Sequence, residues 1–179
     1  MIAQKIVTYP DPALNLPCAP VEVFDERLER LIANLFATLD TLDEGKGIGL
    51  SAPQIGINER VSVVRVPGDA YGPVAYVNPV VRSRAAFGLV QESCLSVPGI
   101  EGNVVRATKV GVEAFDAKGN RFSSEVDGMH AVCLLHEIDH LDGKLFIDRL
   151  FWFSRWRAKR KLRRFSETPG SAGRPTLPL

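Results

Sequence analysis

The chain has 179 residues, 45% of them hydrophobic, which suits one globular domain with a true core. Its 22 basic and 21 acidic residues leave a formal charge of +1, so no global field points to nucleic acid or a membrane, and any such role has to come from local clustering. Three scattered cysteines exclude a disulfide framework, and the first residues hold no apolar run of signal-peptide or membrane-spanning length, so the expectation is a cytoplasmic protein with no membrane partner.

Residues 2–20 carry Pro10, Pro12, Pro17 and Pro20, which predicts an extended arm with a helical turn at 12–15. Over residues 25–44, Leu28, Leu31, Ile32, Leu35, Leu39 and Leu42 recur at threes and fours, a core-facing helix with Asp25 as N-cap and Gly45 as stop. Residues 45–56 then place Gly45, Gly47, Gly49 and Gly56 around Pro53, a backbone open to close approach, with Gln54 as its amide donor. No Gly-Lys-Ser/Thr ending follows, which argues against a phosphate loop. Residues 60–66, 74–81, 87–90, 104–110, 111–116 and 121–126 read as strands, with a hairpin turn at 116–120, so the middle of the chain is antiparallel sheet. Cys94 stands where one strand ends, just before a Pro98-Gly99 turn.

Residues 134–150 hold the most specific signal. His136 and His140 are four apart, one above the other on a helix face, so both imidazoles reach one metal ion while Glu137 stands at its open side. The helix is expected from Asp127 or Gly128 to Leu141, with Gly143 as its stop. Met129, Val132, Leu135 and Ile138 nearly surround it, which predicts burial on most sides. Buried imidazoles and a carboxylate then require a metal and hydrogen-bond partners. A third ligand has to come from elsewhere. Phe146 occupies the place of a downstream histidine, His130 is off the face, Cys133 lies a turn on the wrong side, and Glu167 sits in the tail. Cys94 remains.

In order along the chain, residues 47–54 (Gly-Ile-Gly-Leu-Ser-Ala-Pro-Gln), 92–96 (Glu-Ser-Cys-Leu-Ser) and 136–140 (His-Glu-Ile-Asp-His) resemble the three motifs of the peptide deformylase family. The likeness covers roughly residues 2–150. It implies that Cys94, His136 and His140 bind a divalent ion, ferrous iron in most members, with zinc, nickel or cobalt as replacements. It implies Glu137 as general acid/base, with Gln54 and the Leu95 backbone N–H holding the oxyanion. The implied substrates are formyl-methionyl nascent peptides, and the implied fold is α+β, antiparallel and mixed β-sheet packed around a central helix that carries the motif.

The chemistry agrees with these residue types. Hydrolysis of a formamide near neutral pH needs an acidified water, and a divalent ion with an open position brings the pKa of bound water toward ~7. For the methionine side chain, the expected pocket is Ile48, Met129, Val132 and Cys133, with Gly49 letting the substrate backbone approach. Departures from the family pattern are Ser93 and Ser51, where Gly and Ala are common, and Leu135, where Gln is frequent. A metallopeptidase acting on another acyl group and a protein with a structural metal are the competing readings; the second leaves Glu137 and Gln54 without a purpose.

Residues 1–150 are therefore expected to form the catalytic domain, 151–165 a basic helix and 166–179 a flexible tail. Seven basic residues between Arg155 and Arg164 match the family's habit of docking near the ribosomal exit tunnel, while Phe151, Trp152, Phe153 and Trp156 are expected to pack on the domain.

Overall fold

The computed structural model describes residues 1–42 and 47–166; Glu44, the Gly45 stop and the tail from residue 167 onward, Glu167 included, lie outside the described residues. Five strands form one antiparallel sheet in the order β1 (Gly49–Ser51), β2 (Val61–Val64), β3 (Val74–Ser93), β4 (Glu101–Phe115) and β5 (Arg121–Asp127). Three α-helices join it: α1 (Glu26–Asp40), α2 (Gly128–Leu141) and α3 (Trp152–Ser166). The architecture is α+β, as expected.

Helix α1 starts where its cap predicts, with the Asp25 carboxylate accepting from the Arg27 and Leu28 N–H groups at 3.0 and 3.2 Å. It ends at Asp40, short of the expected residue 44, because the Thr41 hydroxyl donates to the Thr38 carbonyl at 2.7 Å and closes the last turn early. Its leucine stripe packs on Leu50, Val61, Val63 and Val77. Val64 of the same short β2 joins the α2 cluster instead, so this strand is buried on both faces between two helices.

The central strands are longer than expected. Residues 74–81 and 87–90 belong to one 20-residue strand, and residues 104–110 and 111–116 to one 15-residue strand, paired from Val77↔Phe115 to Ser93↔Glu101. The segment between the two expected strands, Arg82 to Ala86, is polar or small and largely exposed, so it shows no hydrophobic alternation and is held by its partner strand alone. Register shifts after Val77 and Val81 also break the period of two. Gly111, read as a break, lies mid-strand opposite Ser83.

Helix α2 packs against β1, β2, β4 and β5 and is buried along most of its length. It stops at Gly143, whose φ of +68° suits a residue without a Cβ; a side chain there would also stand 2.8 Å from the Leu16 backbone. After a 3₁₀ turn at Phe146–Arg149, α3 lies over the end of the sheet. Ala158 and Leu162 enter a cluster with Cys94, Val97, Ile100 and Val104, and the Lys161 ammonium donates to the Gly99 carbonyl at 2.7 Å.

That docking face corrects one expectation. Phe151, Trp152, Phe153 and Trp156 do not pack on the domain; they are 65, 81, 50 and 53% exposed. With Ala158 and Leu162 turned inward, and Arg155 and Lys159 reaching Asp148 at 2.7 and 3.2 Å, the helical repeat carries Phe153 and Trp156 to the far side.

Candidate metal centre and active site

Cys94 follows directly on the last residue of β3, and α2 delivers both histidines from successive turns. The ligand atoms of Cys94, His136 and His140 lie within 4.8 Å of one another, with Cys94 Sγ 3.2 Å from His140 Nε2. A thiol and two imidazoles converging in a buried space fit a divalent ion with a position left open, and the donor set suits iron, zinc, cobalt or nickel. The His136 side chain is 11% exposed, and Cys94 and His140 are buried.

The Glu92 carboxylate accepts from His136 Nδ1 at 2.8 Å, leaving Nε2 for the metal. His140 Nδ1 is buried and has no hydrogen-bond partner among the described residues. Burial holds His140 well below the usual imidazole range, so it keeps the lone pair a ligand needs.

Behind the ligands is a buried ionic network. The Arg106 guanidinium, 3% exposed, donates to both Glu92 oxygens at 2.6 and 3.0 Å and to Asp139 at 2.5 Å; Asp139 is also bound by Arg149. Burial works to raise the Glu92 pKa, but hydrogen bonds from His136 and Arg106 hold it to about 2, so it remains a charged acceptor. Sequence reasoning assigned Glu92, Arg106 and Asp139 no role. The available signal was Arg106 itself, a cation two residues from Val104 on the buried side of β4, whereas the strand's other cation, Lys109, is exposed.

Glu137 follows His136 on α2, is 2% exposed, and has one carboxylate oxygen without a partner among the described residues. Burial raises its pKa to about 7, which suits a group that takes up and releases a proton near neutrality. Gln54 sits in the 3₁₀ turn after β1 with its amide fixed at both ends. Its Oε1 accepts from the Ser51 N–H at 2.9 Å and hydroxyl at 2.8 Å, while Nε2 points toward Ser96 Oγ at 3.3 Å and Cys94 Sγ at 3.7 Å. Ser51, a departure from the family pattern, thus orients the amide. Leu95 follows Cys94 directly, and the Ser93 side chain is exposed beside it.

Of the expected pocket residues, Gly49 and Cys133 are brought together beside Glu137. A Cβ on Gly49 would stand 2.4 Å from Cys133 Sγ and 2.6 Å from Glu137 Oε1, so only glycine lets β1 pass this close. Burial pushes the Cys133 thiol well up, consistent with an inert wall residue and not a ligand. Val132 is buried next to it and Ile48 packs on the same cluster, while Met129 stands half-exposed on the first turn of α2. His130 is engaged elsewhere, its Nδ1 on Asp69 at 2.7 Å and its Nε2 on the Tyr76 hydroxyl at 2.8 Å.

Comparison with known proteins agrees with this geometry. The family model for polypeptide deformylase matches residues 3–156. A peptide deformylase from Neisseria meningitidis is 42% identical over 164 residues, spanning 92% of this chain and 96% of the relative. The crystal structure of a peptide deformylase from Legionella pneumophila superposes with a TM-score of 0.82 at 44% identity, covering 92% of this chain and 95% of that one. The peptide deformylase of Ehrlichia chaffeensis in complex with actinonin gives a TM-score of 0.85 at 34% identity, covering 94% and 100%. A thiol and two helix-borne histidines converge beside a buried glutamate, on a fold shared across these relatives, and so the chain belongs to the polypeptide deformylase family.

Proposed function

We infer that this chain hydrolyses the N-terminal formyl amide of formyl-methionyl nascent polypeptides and releases formate. The observation that carries the reading is the convergence of Cys94, His136 and His140 beside the buried Glu137 carboxylate and a fixed amide donor. Cys94, His136 and His140 hold the ion. When bound, it supplies the positive charge that polarises the formyl carbonyl and acidifies a water. Glu137 accepts a proton from the attacking water as its oxygen bonds to the formyl carbon. It returns the proton to the amine nitrogen as the C–N bond breaks. The Gln54 amide and the Leu95 N–H donate to the carbonyl oxygen as it gains charge. Glu92 holds the His136 ring in one tautomer and Arg106 keeps Glu92 charged. Ile48, Val132, Cys133 and Met129 receive the methionine side chain, and Gly49 lets the peptide backbone lie against β1.

Formate release from formyl-Met-Ala-Ser by metal-loaded protein tests this. Release from the formylated peptide, with the unformylated peptide left intact, is expected; equal cleavage of both would point to a metallopeptidase instead. The ion we propose is ferrous iron, with zinc, nickel or cobalt able to replace it, and metal analysis of anaerobically purified protein decides. We also propose a cytoplasmic enzyme that docks on the ribosome through the basic residues of α3; no helix among the described residues is long and apolar enough to cross a membrane. Truncation after Leu150 is a poor test, because it removes Ala158 and Leu162 from the cluster around Cys94. Reversing Arg157 and Arg160 to Glu is expected to weaken salt-sensitive ribosome binding; unchanged binding would exclude the docking.

A further inference from the structure

Ribosome docking by charge uses the basic half of α3 and leaves its aromatic half without a purpose. Both tryptophans of the chain are in that half, and Phe151, Trp152, Phe153 and Trp156 are each at least 50% exposed within six residues. Single exposed apolar side chains are ordinary on a protein surface, but a contiguous group this large marks a contact surface. The patch is held rigidly in place, because the opposite side of α3 is fixed by Ala158, Leu162 and the Lys161–Gly99 hydrogen bond. Basic groups adjoin the rings: the Arg157 guanidinium lies 5.8 Å from the centre of the Phe153 ring and that of Arg160 lies 5.0 Å from the centre of the Trp156 ring. The helix from Trp152 to Ser166 contains no acidic residue.

We propose that this face of α3 docks on an anionic lipid bilayer, with Phe151, Trp152, Phe153 and Trp156 entering the headgroup boundary and Arg157 and Arg160 on lipid phosphates. Two kinds of polyanion fit the charge, and the aromatic half separates them. A phosphate backbone offers no apolar interior to four large side chains. Stacking of unpaired bases requires free ring faces, and on Phe153 and Trp156 a guanidinium already lies over the ring. An interface that is apolar below and phosphate-lined above accepts both halves, as it does the aromatic and basic faces of in-plane helices. The helix is too short to span, so the association is peripheral.

The test uses the full-length, metal-loaded chain with vesicles of phosphatidylcholine containing phosphatidylglycerol, and with phosphatidylcholine alone. Co-flotation with the anionic vesicles is expected, with a blue shift of tryptophan emission that reports on this patch because both tryptophans are in it. The pair Arg157→Gln and Arg160→Gln is expected to weaken binding about fivefold per charge. The pair Trp152→Ser and Phe153→Ser is expected to weaken it about tenfold or more, leaving formate release from a soluble peptide unchanged, which shows that the variant folds. Four results would overturn the proposal: no flotation with anionic vesicles, equal flotation with phosphatidylcholine alone, undiminished flotation of the serine variant, or an emission shift only with ribosomes or single-stranded RNA.

Discussion

Substituting Gly49 by alanine puts the relation between the glycine segment and Glu137 to the test. The added Cβ would stand 2.4 Å from Cys133 Sγ, 2.6 Å from Glu137 Oε1 and 3.1 Å from Glu137 Cδ. Ordinary van der Waals contact lies at roughly 3.5–4 Å, so something has to move by about 1 Å. Cys133 is buried on α2 and cannot retreat, which leaves the Glu137 carboxylate or β1 to shift. Gly49 lies in a strand without a positive φ, so alanine adds no backbone strain and the whole effect comes from this contact. Overpacking of this kind costs about 1–3 kcal/mol, a drop in melting temperature of roughly 2–12 °C for a chain of this size. A displacement of about 1 Å at a reacting group costs on the order of a hundredfold in rate. Gly49→Ala is therefore expected to lose about two orders of magnitude in kcat/KM for formate release, with metal content unchanged because the added methyl does not meet the ligands. Adding Cys133→Ala should recover part of the stability and little of the rate, since the Glu137 contact remains. A Gly49→Ala protein with wild-type kcat/KM would mean that the added methyl does not displace the Glu137 carboxylate.

Arg106→Met leaves Glu92 and Asp139 as buried carboxylates without their shared cation; a loss of about 3–5 kcal/mol in denaturant unfolding is expected. Because Glu92 orients His136, metal affinity measured by competition with a chelator should also fall by about ten- to a hundredfold. For Asp69, burial works to raise the pKa, but hydrogen bonds with His130 and from the Gly72 and Tyr71 N–H groups hold it below its ordinary value. A depressed folded pKa stabilises above the unfolded carboxylate range of about 3.9 and loses that contribution as pH falls through the folded value. The melting-temperature gap between the wild type and Asp69→Asn should therefore close as pH drops through that window, and a constant gap would contradict the assignment. Ser51→Ala removes the 2.8 Å hydroxyl bond to Gln54 Oε1 and keeps the 2.9 Å backbone bond, so kcat should fall by no more than about tenfold; a larger loss would mean that the hydroxyl does more than orient the amide.

The motif helix was legible from one-dimensional pattern because its determinants are local: apolar residues on nearly every side, two histidines one turn apart, and Gly143 at the stop. Cys94 was legible by elimination and by its place at a strand end. Arg106 was not, because its partners Glu92 and Asp139 are 14 and 33 residues away and only the fold unites them. The continuity of β3 through Arg82 to Ala86 was hidden for a related reason, since an exposed two-stranded arm needs no buried face and carries no alternation. The aromatic start of α3 misled because its residue types usually mark burial, whereas Ala158 and Leu162, less conspicuous in sequence, form the docking stripe. The pairing of His136 with His140 is thus written in spacing, while the orientation of the His136 ring depends on Glu92, held across the fold by Arg106.

In the proposed reaction Glu137 carries the proton at a site whose ion is held by Cys94, His136 and His140. Metal content and formate release measured together on Glu137→Gln test it most directly. One ion retained per chain, as in the wild type, is expected, with kcat lowered by about 10²- to 10⁴-fold. Wild-type turnover by this variant, or loss of the metal with the carboxylate, would contradict it.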